Sequence, residues 1–359
     1  MAYFLPFSVS LLLIRLLMPV SHRLGWVDRP GGHKVHKQTT PVIGGLGVAA
    51  GTLVTLLWLE PSAVSGWEVY LMASLVLIGV GAWDDRAPLP ALLRIAIQCL
   101  VTYWVVAYGG MVVESLGTFP IIGELRLGPL AEPFTVLVTV GLMNALNMLD
   151  GLDGLLGGVV MAILGVLGLA ALTGGAQDYG QLALVVLTAV AAFYIYNFRW
   201  PGRNRALVFL GDAGSTWLGL TLAWLAIGIS HTTPAALDKA AVAWVLALPV
   251  LDTLSTIALR LSKGKHPMEP GHEHIHFVLR DHGVSVNATV LLVTGLTAVM
   301  GLVGLGMARI GLADYWILTA FLLLFILYAE SIQHLRRLGS WFGWLLPKGA
   351  RERSQGPGA

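Results

Sequence analysis

The chain alternates long apolar runs with short polar breaks from one end to the other. Runs suited to membrane helices lie near Ala2–Val20, Ile43–Leu59, Glu68–Trp83, Ala91–Tyr108, Phe134–Leu149, Leu155–Thr173 and Gln181–Phe198. Four more lie near Ala213–Ser230, Ala240–Leu261, Val286–Ala308 and Ala313–Ile332. A hydrocarbon core of about 30 Å takes roughly 20 helical residues per crossing, so the pattern predicts an all-α polytopic membrane protein with about eleven transmembrane helices. Composition agrees, with 56% hydrophobic and 12% charged residues and a mean hydropathy of +0.76. Soluble domains carry about 25% charge, so an ordinary water-soluble enzyme is excluded. The first run holds Arg15 and lacks a small-residue cleavage site, which reads as a retained anchor. A single cysteine, Cys99, cannot form an intrachain disulfide and reads as packing.

Positive charge tests the threading, because Lys and Arg collect in short cytoplasmic loops. With the N-terminus outside and the C-terminus inside, eighteen Lys and Arg fall on the inner side and three, Arg126, Lys239 and Arg309, on the outer. Nine of ten histidines fall on the inner side as well, all but His231. Polar chemistry is thus expected at one face, the cytoplasmic one. A net charge of +2, without an interleaved basic and aromatic patch, gives no reason to expect nucleic acid. No internal repeat of 20–50 residues is visible. Residues 1–333 are expected to form a single transmembrane catalytic domain, and 334–359 a cytoplasmic tail, partly disordered.

Four polar clusters stand at inner ends of the runs. Asp84 and Asp85 close the third run; adjacent carboxylates repel unless a cation offsets them, and the plainer reading is a solvated helix end with Arg86 as partner. Asn144, Asn147 and Asp150 are spaced i, i+3, i+6, a slanting ridge on a helix, followed by Gly151, Asp153 and Gly154. Such a ridge is costly in an apolar span unless satisfied. Asn197 and Arg199 precede Phe209-Leu210-Gly211-Asp212, where Asp212 opens a span and serves either as a ligand or as a plain helix cap. In the fourth, His274 and His276 stand two apart, a spacing suited to a loop presenting both rings to one ligand. Zinc lacks its usual ligand spacing there. The carboxylates favour Mg²⁺, with Mn²⁺ as the alternative, and hard cation plus basic side chains at one face suit a diphosphate.

At these residues the sequence resembles the polyprenyl-phosphate N-acetylhexosaminyl-1-phosphate transferases, the membrane family that contains MraY and WecA. The resemblance runs in order through Asp28-Arg29-Pro30, Lys34-Val35-His36, Pro41 to Gly45, Asp84-Asp85-Arg86, Asn144 to Gly154, Asn197, Phe209 to Ser215 and His274-Ile275-His276. Eleven spans and the Pro267-Met268-Glu269-Pro270 lead into the histidines are similar to the WecA branch. One departure is Phe277, where that branch usually has a further histidine.

The resemblance implies transfer of a sugar 1-phosphate, most simply GlcNAc 1-phosphate, from a UDP-N-acetylhexosamine to undecaprenyl phosphate, with release of UMP, in the bacterial inner (plasma) membrane. It implies catalytic roles for Asp84, Asp85, Asp150, Asp153 and Asp212, with Asp212 as the Mg²⁺ ligand. It places Lys37, Asn144, Asn147, Gly151, Asn197, Phe209, His274 and His276 at the substrates, Phe209 against uracil. Membrane lipids surround the protein, and a homodimer is the assembly to test for. An MraY-type transferase stays open as the alternative. Two other classes fit less well. A secondary transporter puts its polar residues at the midplane and often repeats its halves, and a CDP-alcohol phosphatidyltransferase shares an Asp-x-x-Asp-Gly element but continues with residues this chain lacks.

Overall fold

A computed structural model describes residues 3–28, 39–61, 64–266 and 271–342, the last six through their backbone alone. Thirteen α-helices account for most of these residues, and the strands are short. The helices are α1 Phe4–Leu24, α2 Gly44–Leu59, α3 Trp67–Arg86, α4 Ala91–Gly109, α5 Ala131–Leu149, α6 Leu155–Thr173 and α7 Gln177–Asn197. They continue as α8 Gly211–Ser230, α9 Lys239–Val245, α10 Ala247–Ser262, α11 Ile275–Asp281, α12 Val286–Arg309 and α13 Asp314–Phe342. Strands β1 Val27–Asp28 and β2 Thr40–Pro41 pair antiparallel, and β3 Ser115–Phe119 forms a hairpin with β4 Gly123–Arg126.

Every predicted span falls on helix, but not every span is a straight crossing. Among the described residues nine helices are long and apolar enough to cross a membrane unaided, or ten with a bent pair. The bent pair is α9 and α10, turned by 75° where the sequence pattern predicts one helix over Ala240–Leu261. Pro249 explains the break, since it offers no N–H to the carbonyl of Val245 and its ring crowds that carbonyl. The span expected over Ile43–Leu59 is α2, whose sixteen residues are fewer than those of any of the nine. Its start is set from outside, as the amides of Gly44 and Gly45 donate to the carbonyls of Phe209 and Leu210 at 2.9 and 2.8 Å. The expected tail from 334 begins as the last turns of α13, and 343–359 lie outside the described residues.

Helix α8 is the axis of the bundle, almost wholly buried against α2, α3, α5 and α6. Outer helices turn large apolar side chains outward, among them Leu92, Leu100, Leu137, Leu291, Leu322 and Leu327. A soluble monomer rarely exposes so continuous an apolar surface, and lipid is the solvent that suits it. The protein is a multi-pass membrane protein. Polar side chains that bind one another gather at one end of the bundle, where α3, α5 and α7 finish and α4, α6 and α8 begin.

Candidate functional site

The end of α3 places Asp84 inside the protein and Asp85 beside the start of α8. Asp84 is buried and accepts the Leu89 amide at 2.6 Å and Arg94 Nη1 at 2.9 Å. The same Nη1 lies 3.0 Å from Asp212 Oδ2, so one guanidinium nitrogen joins two carboxylates. The partner of Asp84 is therefore Arg94 of α4, not Arg86. Asn147 of α5 donates to Asp212 Oδ1 and, at 3.0 Å, lies against Ser215 Oγ. Asn144, one turn earlier, donates to Gln98 Oε1 at 2.8 Å. Asp84, Arg94, Gln98, Asn144, Asn147 and Asp212 line one cleft together with Leu77, Val80, Gly81 and Ile97.

Asp85 does different work. Its carboxylate accepts the backbone N–H groups of Asp212 at 2.7 Å and Ala213 at 3.2 Å, and so caps α8 from another helix. No residue at the start of α8 supplies a side-chain cap of its own. Asp212 is thus not the cap of its own helix, the plainer alternative of the sequence reading. Gly211 is required at the junction: its φ is +80°, and a Cβ there would stand 2.5 Å from Asp85 Oδ2.

The turn after α5 carries the second carboxylate pair. Asp153 accepts Arg199 Nε at 2.7 Å and the Ala206 amide at 2.8 Å. Asp150 is pushed up to about 7, first by burial and then by the charges of Asp212 and Asp153. Asn197, expected at the nucleotide, is a buried clamp: its Oδ1 accepts the Gly154 amide at 2.7 Å and its Nδ2 donates to the Val208 carbonyl at 2.9 Å. Phe209 is half-buried, and its amide donates to the Pro41 carbonyl at 2.8 Å. Lys37 lies outside the described residues, as do Lys34, His36 and Pro267 to Pro270.

The histidines enter from the segment between α10 and α12. His274 and His276 stack nearly parallel, their ring centroids 5.9 Å apart. His276 is fully buried with neither ring nitrogen hydrogen-bonded. Its Nε2 faces Gly151, where a Cβ would stand 2.5 Å away, so the ring sits directly on the Asp150–Asp153 turn. Burial holds His276 down to about 4, against a partial offset from Asp252, so the ring is neutral at neutral pH. Phe277 fills the departing position with a ring stacked on His272 at 4.5 Å. Sequence reasoning missed Arg94, Gln98, Asp252 and Tyr328 as site residues; Arg94 and Asp252, each the lone charge or carboxylate of an apolar run, carried a signal.

Among the described residues no three His, Cys, Asp or Glu side chains stand together as a metal-ligand cluster. A Mg²⁺ ion does not require one, since it binds through one or two carboxylates and completes its shell with water and substrate phosphate. Asp84 and Asp212 already hold a cation between them in the form of Arg94. The donor set, all hard oxygen, fits.

Comparison with known proteins follows the same geometry. The model of glycosyl transferase family 4 matches residues 67–230, which run from α3 through α8 and include Asp84, Asp150 and Asp212. A Yersinia pestis protein named undecaprenyl-phosphate alpha-N-acetylglucosaminyl 1-phosphate transferase is 30% identical over 337 residues, covering 94% of this chain and 91% of its own. Proteins of the same name from Haemophilus influenzae and Pasteurella multocida are 29% and 28% identical, over 95% and 98% of this chain and 96% and 98% of theirs.

Proposed function

The chain belongs to glycosyl transferase family 4, and we propose that it transfers GlcNAc 1-phosphate from UDP-GlcNAc to undecaprenyl phosphate, releasing UMP. Its relatives carry the name of that transfer across nearly their whole length. The observation in this chain that carries the reading is the bridge Asp84–Arg94–Asp212, flanked by Asn147, in a cleft that polar groups and the apolar Leu77, Val80 and Ile97 line together. A lipid phosphate and a water-borne diphosphate can meet only at such a boundary. Its polar groups lie at helix ends rather than mid-helix, which argues against a transporter.

In the reaction an oxygen of the acceptor phosphate attacks the sugar-bearing phosphorus, and the bond from that phosphorus to the bridging oxygen breaks as UMP departs. A phosphate monoester loses its second proton near pH 6, so at neutral pH the acceptor is mostly dianionic and no side chain has to take a proton. The work left to the protein is alignment and charge. Arg94 puts a positive charge between two carboxylates, and approaching phosphate oxygens exchange with those carboxylates as its partners. Asn147 holds Asp212 and Ser215 in place. His276, neutral and buried, sets its Nε2 against Gly151 and so seats the Asp150–Asp153 turn beside which the donor would lie.

We assign Asp212, with Asp84 across the cleft, as the side chains that would hold Mg²⁺, or Mn²⁺ in its stead. Such an ion supplies neutralisation of phosphate oxygens and of the departing charge. Phe209 is placed against uracil in this reading. The positive-charge split supports a site at the cytoplasmic face of the inner membrane, with the N-terminus outside and the C-terminus inside. The decisive experiment incubates the purified protein with undecaprenyl phosphate, Mg²⁺ and a panel of UDP-sugars and follows UMP. Release with UDP-GlcNAc, abolished by chelation, is expected; activity with another UDP-sugar alone would overturn the donor, and full activity after chelation the ion.

A further inference from the structure

Helix α10 buries two charged side chains that no step above uses, Asp252 and Arg260. Both reach the histidine segment. Arg260 Nη2 lies 3.1 Å from Glu273 Oε2. Asp252 Oδ2 lies 2.8 Å from His274 Nδ1, and its Oδ1 accepts the Ile275 amide at 2.8 Å. The helix thus grips three consecutive residues, 273, 274 and 275. From α13 the hydroxyl of Tyr328 donates to the same Asp252 Oδ1 at 2.9 Å. A carboxylate in an apolar helix is costly to bury unless its lone pairs are met, and here one backbone and two side-chain groups meet them.

The chemistry of that contact is directional. A carboxylate accepts, so the shared proton sits on His274 Nδ1 and Nε2 is left as the ring's acceptor. The ring's plane is fixed at the same time. Because His276 lies parallel to His274, fixing one ring limits where the other can stand, and His276 is the ring whose Nε2 abuts Gly151. We infer that Asp252 is a positioning residue for the sugar-nucleotide donor, setting the orientation and tautomer of His274 and, through the stacked pair, the seat of His276 on the Asp150–Asp153 turn. Tyr328 belongs to the same cradle. The inference rests on the reading of the two histidines as donor contacts.

The test uses full-length protein in lipid nanodiscs, with UMP release measured while donor and acceptor are varied separately. Four variants are compared: Asp252→Asn, Tyr328→Phe, His274→Ala, and Asp252→Asn combined with His274→Ala. Asparagine keeps the volume and can still accept from Ile275 and Tyr328, but presents N–H to Nδ1 and so inverts the tautomer. Asp252→Asn is expected to raise KM for UDP-GlcNAc about ten-fold, with KM for undecaprenyl phosphate unchanged. The double variant should match His274→Ala alone, because Asp252 acts through that ring. Tyr328→Phe, which removes one hydrogen bond and no packing, should raise donor KM about two- to five-fold, and it carries the test if Asp252→Asn does not fold. Unchanged donor KM in both, or additive effects in the double variant, overturns the inference. Where His274→Ala leaves donor KM unmoved, the donor-contact reading of the loop falls with it, and a wild-type protein that releases no UMP overturns the proposed reaction itself.

Discussion

Arg94→Met removes the cation from the centre of the cleft while keeping much of the apolar stem. The buried Asp84 would then be held by the Leu89 amide at 2.6 Å and would face Asp212 without a neutralising charge. Breaking a wholly buried ion pair costs about 3–5 kcal/mol. Arg94 is 36% exposed, so solvent screening reduces the expected loss of stability to about 1–3 kcal/mol. The effect on rate is larger, since one preorganised charge aimed at developing negative charge supplies on the order of 10²–10³ in kcat. Arg94→Lys separates point charge from fork. Both carboxylates contact the same nitrogen, at 2.9 and 3.0 Å, so a single ammonium can take its place, which a bidentate pairing would not allow. Lys is therefore expected to keep kcat within about ten-fold of wild type, a difference of about 1.4 kcal/mol. The assay is UMP release at saturating donor and acceptor, with melting curves for all three proteins. A folded Arg94→Met enzyme with wild-type kcat refutes the electrostatic role, and a Lys variant as slow as Met refutes the point-charge account.

Three other substitutions probe the surroundings. Asn197→Ala orphans the Gly154 amide and the Val208 carbonyl, each worth about 1–3 kcal/mol when buried and unmet; thermal unfolding should show a loss of about 2–4 kcal/mol with donor affinity unchanged in the folded fraction, and the reverse pattern would return Asn197 to the nucleotide. Gly151→Ala puts a methyl group only 2.5 Å from His276 Nε2 and must displace the ring, so donor KM should rise about ten-fold with acceptor KM unmoved in steady-state kinetics. Asp150→Asn addresses pH: a carboxyl raised from 3.8 to about 7 binds its proton more tightly folded than unfolded, so it withdraws stability as pH climbs through that window. The variant's melting-temperature advantage should be larger at about pH 8 than at about pH 5, and a pH-independent difference would contradict it.

The carboxylates of the cleft are legible in the sequence because charge at the end of an apolar run is conspicuous wherever it occurs. What each does is not. Asp84 and Asp85 are neighbours in the chain, yet one meets Arg94 and the other caps a helix through an amide 127 residues later. A cap supplied across the fold leaves no local pattern, so the familiar N-cap reading falls on Asp212 instead. Asn197 shows the converse, a polar residue at the end of an apolar run whose partners are backbone groups of two other segments. Asp252 is the sole carboxylate in its run, and without companions it does not read as a cluster; its partners gather only once α10, α11 and α13 meet. The break before α10 has a visible cause in Pro249, but a hydropathy window averages across it.

The capping by Asp85 also decides which groups are left for phosphate. A helix N-terminus aimed at a cleft is ordinarily an anion site, through its free amides and the positive end of its dipole. At α8 the amides of Asp212 and Ala213 are already given to Asp85, and a carboxylate lies at that pole. The helix start therefore anchors the cleft rather than binding its anion. Two acidic groups face the same space from Asp84 and Asp212, so a diphosphate entering there meets net negative charge unless cations intervene. Arg94 is the side chain that joins both carboxylates. One guanidinium cannot balance two carboxylates and a diphosphate together. In the proposed reaction that deficit, more than the count of possible ligands, is the physical argument for a divalent cation, and it would make Arg94 and the ion joint requirements rather than substitutes for one another.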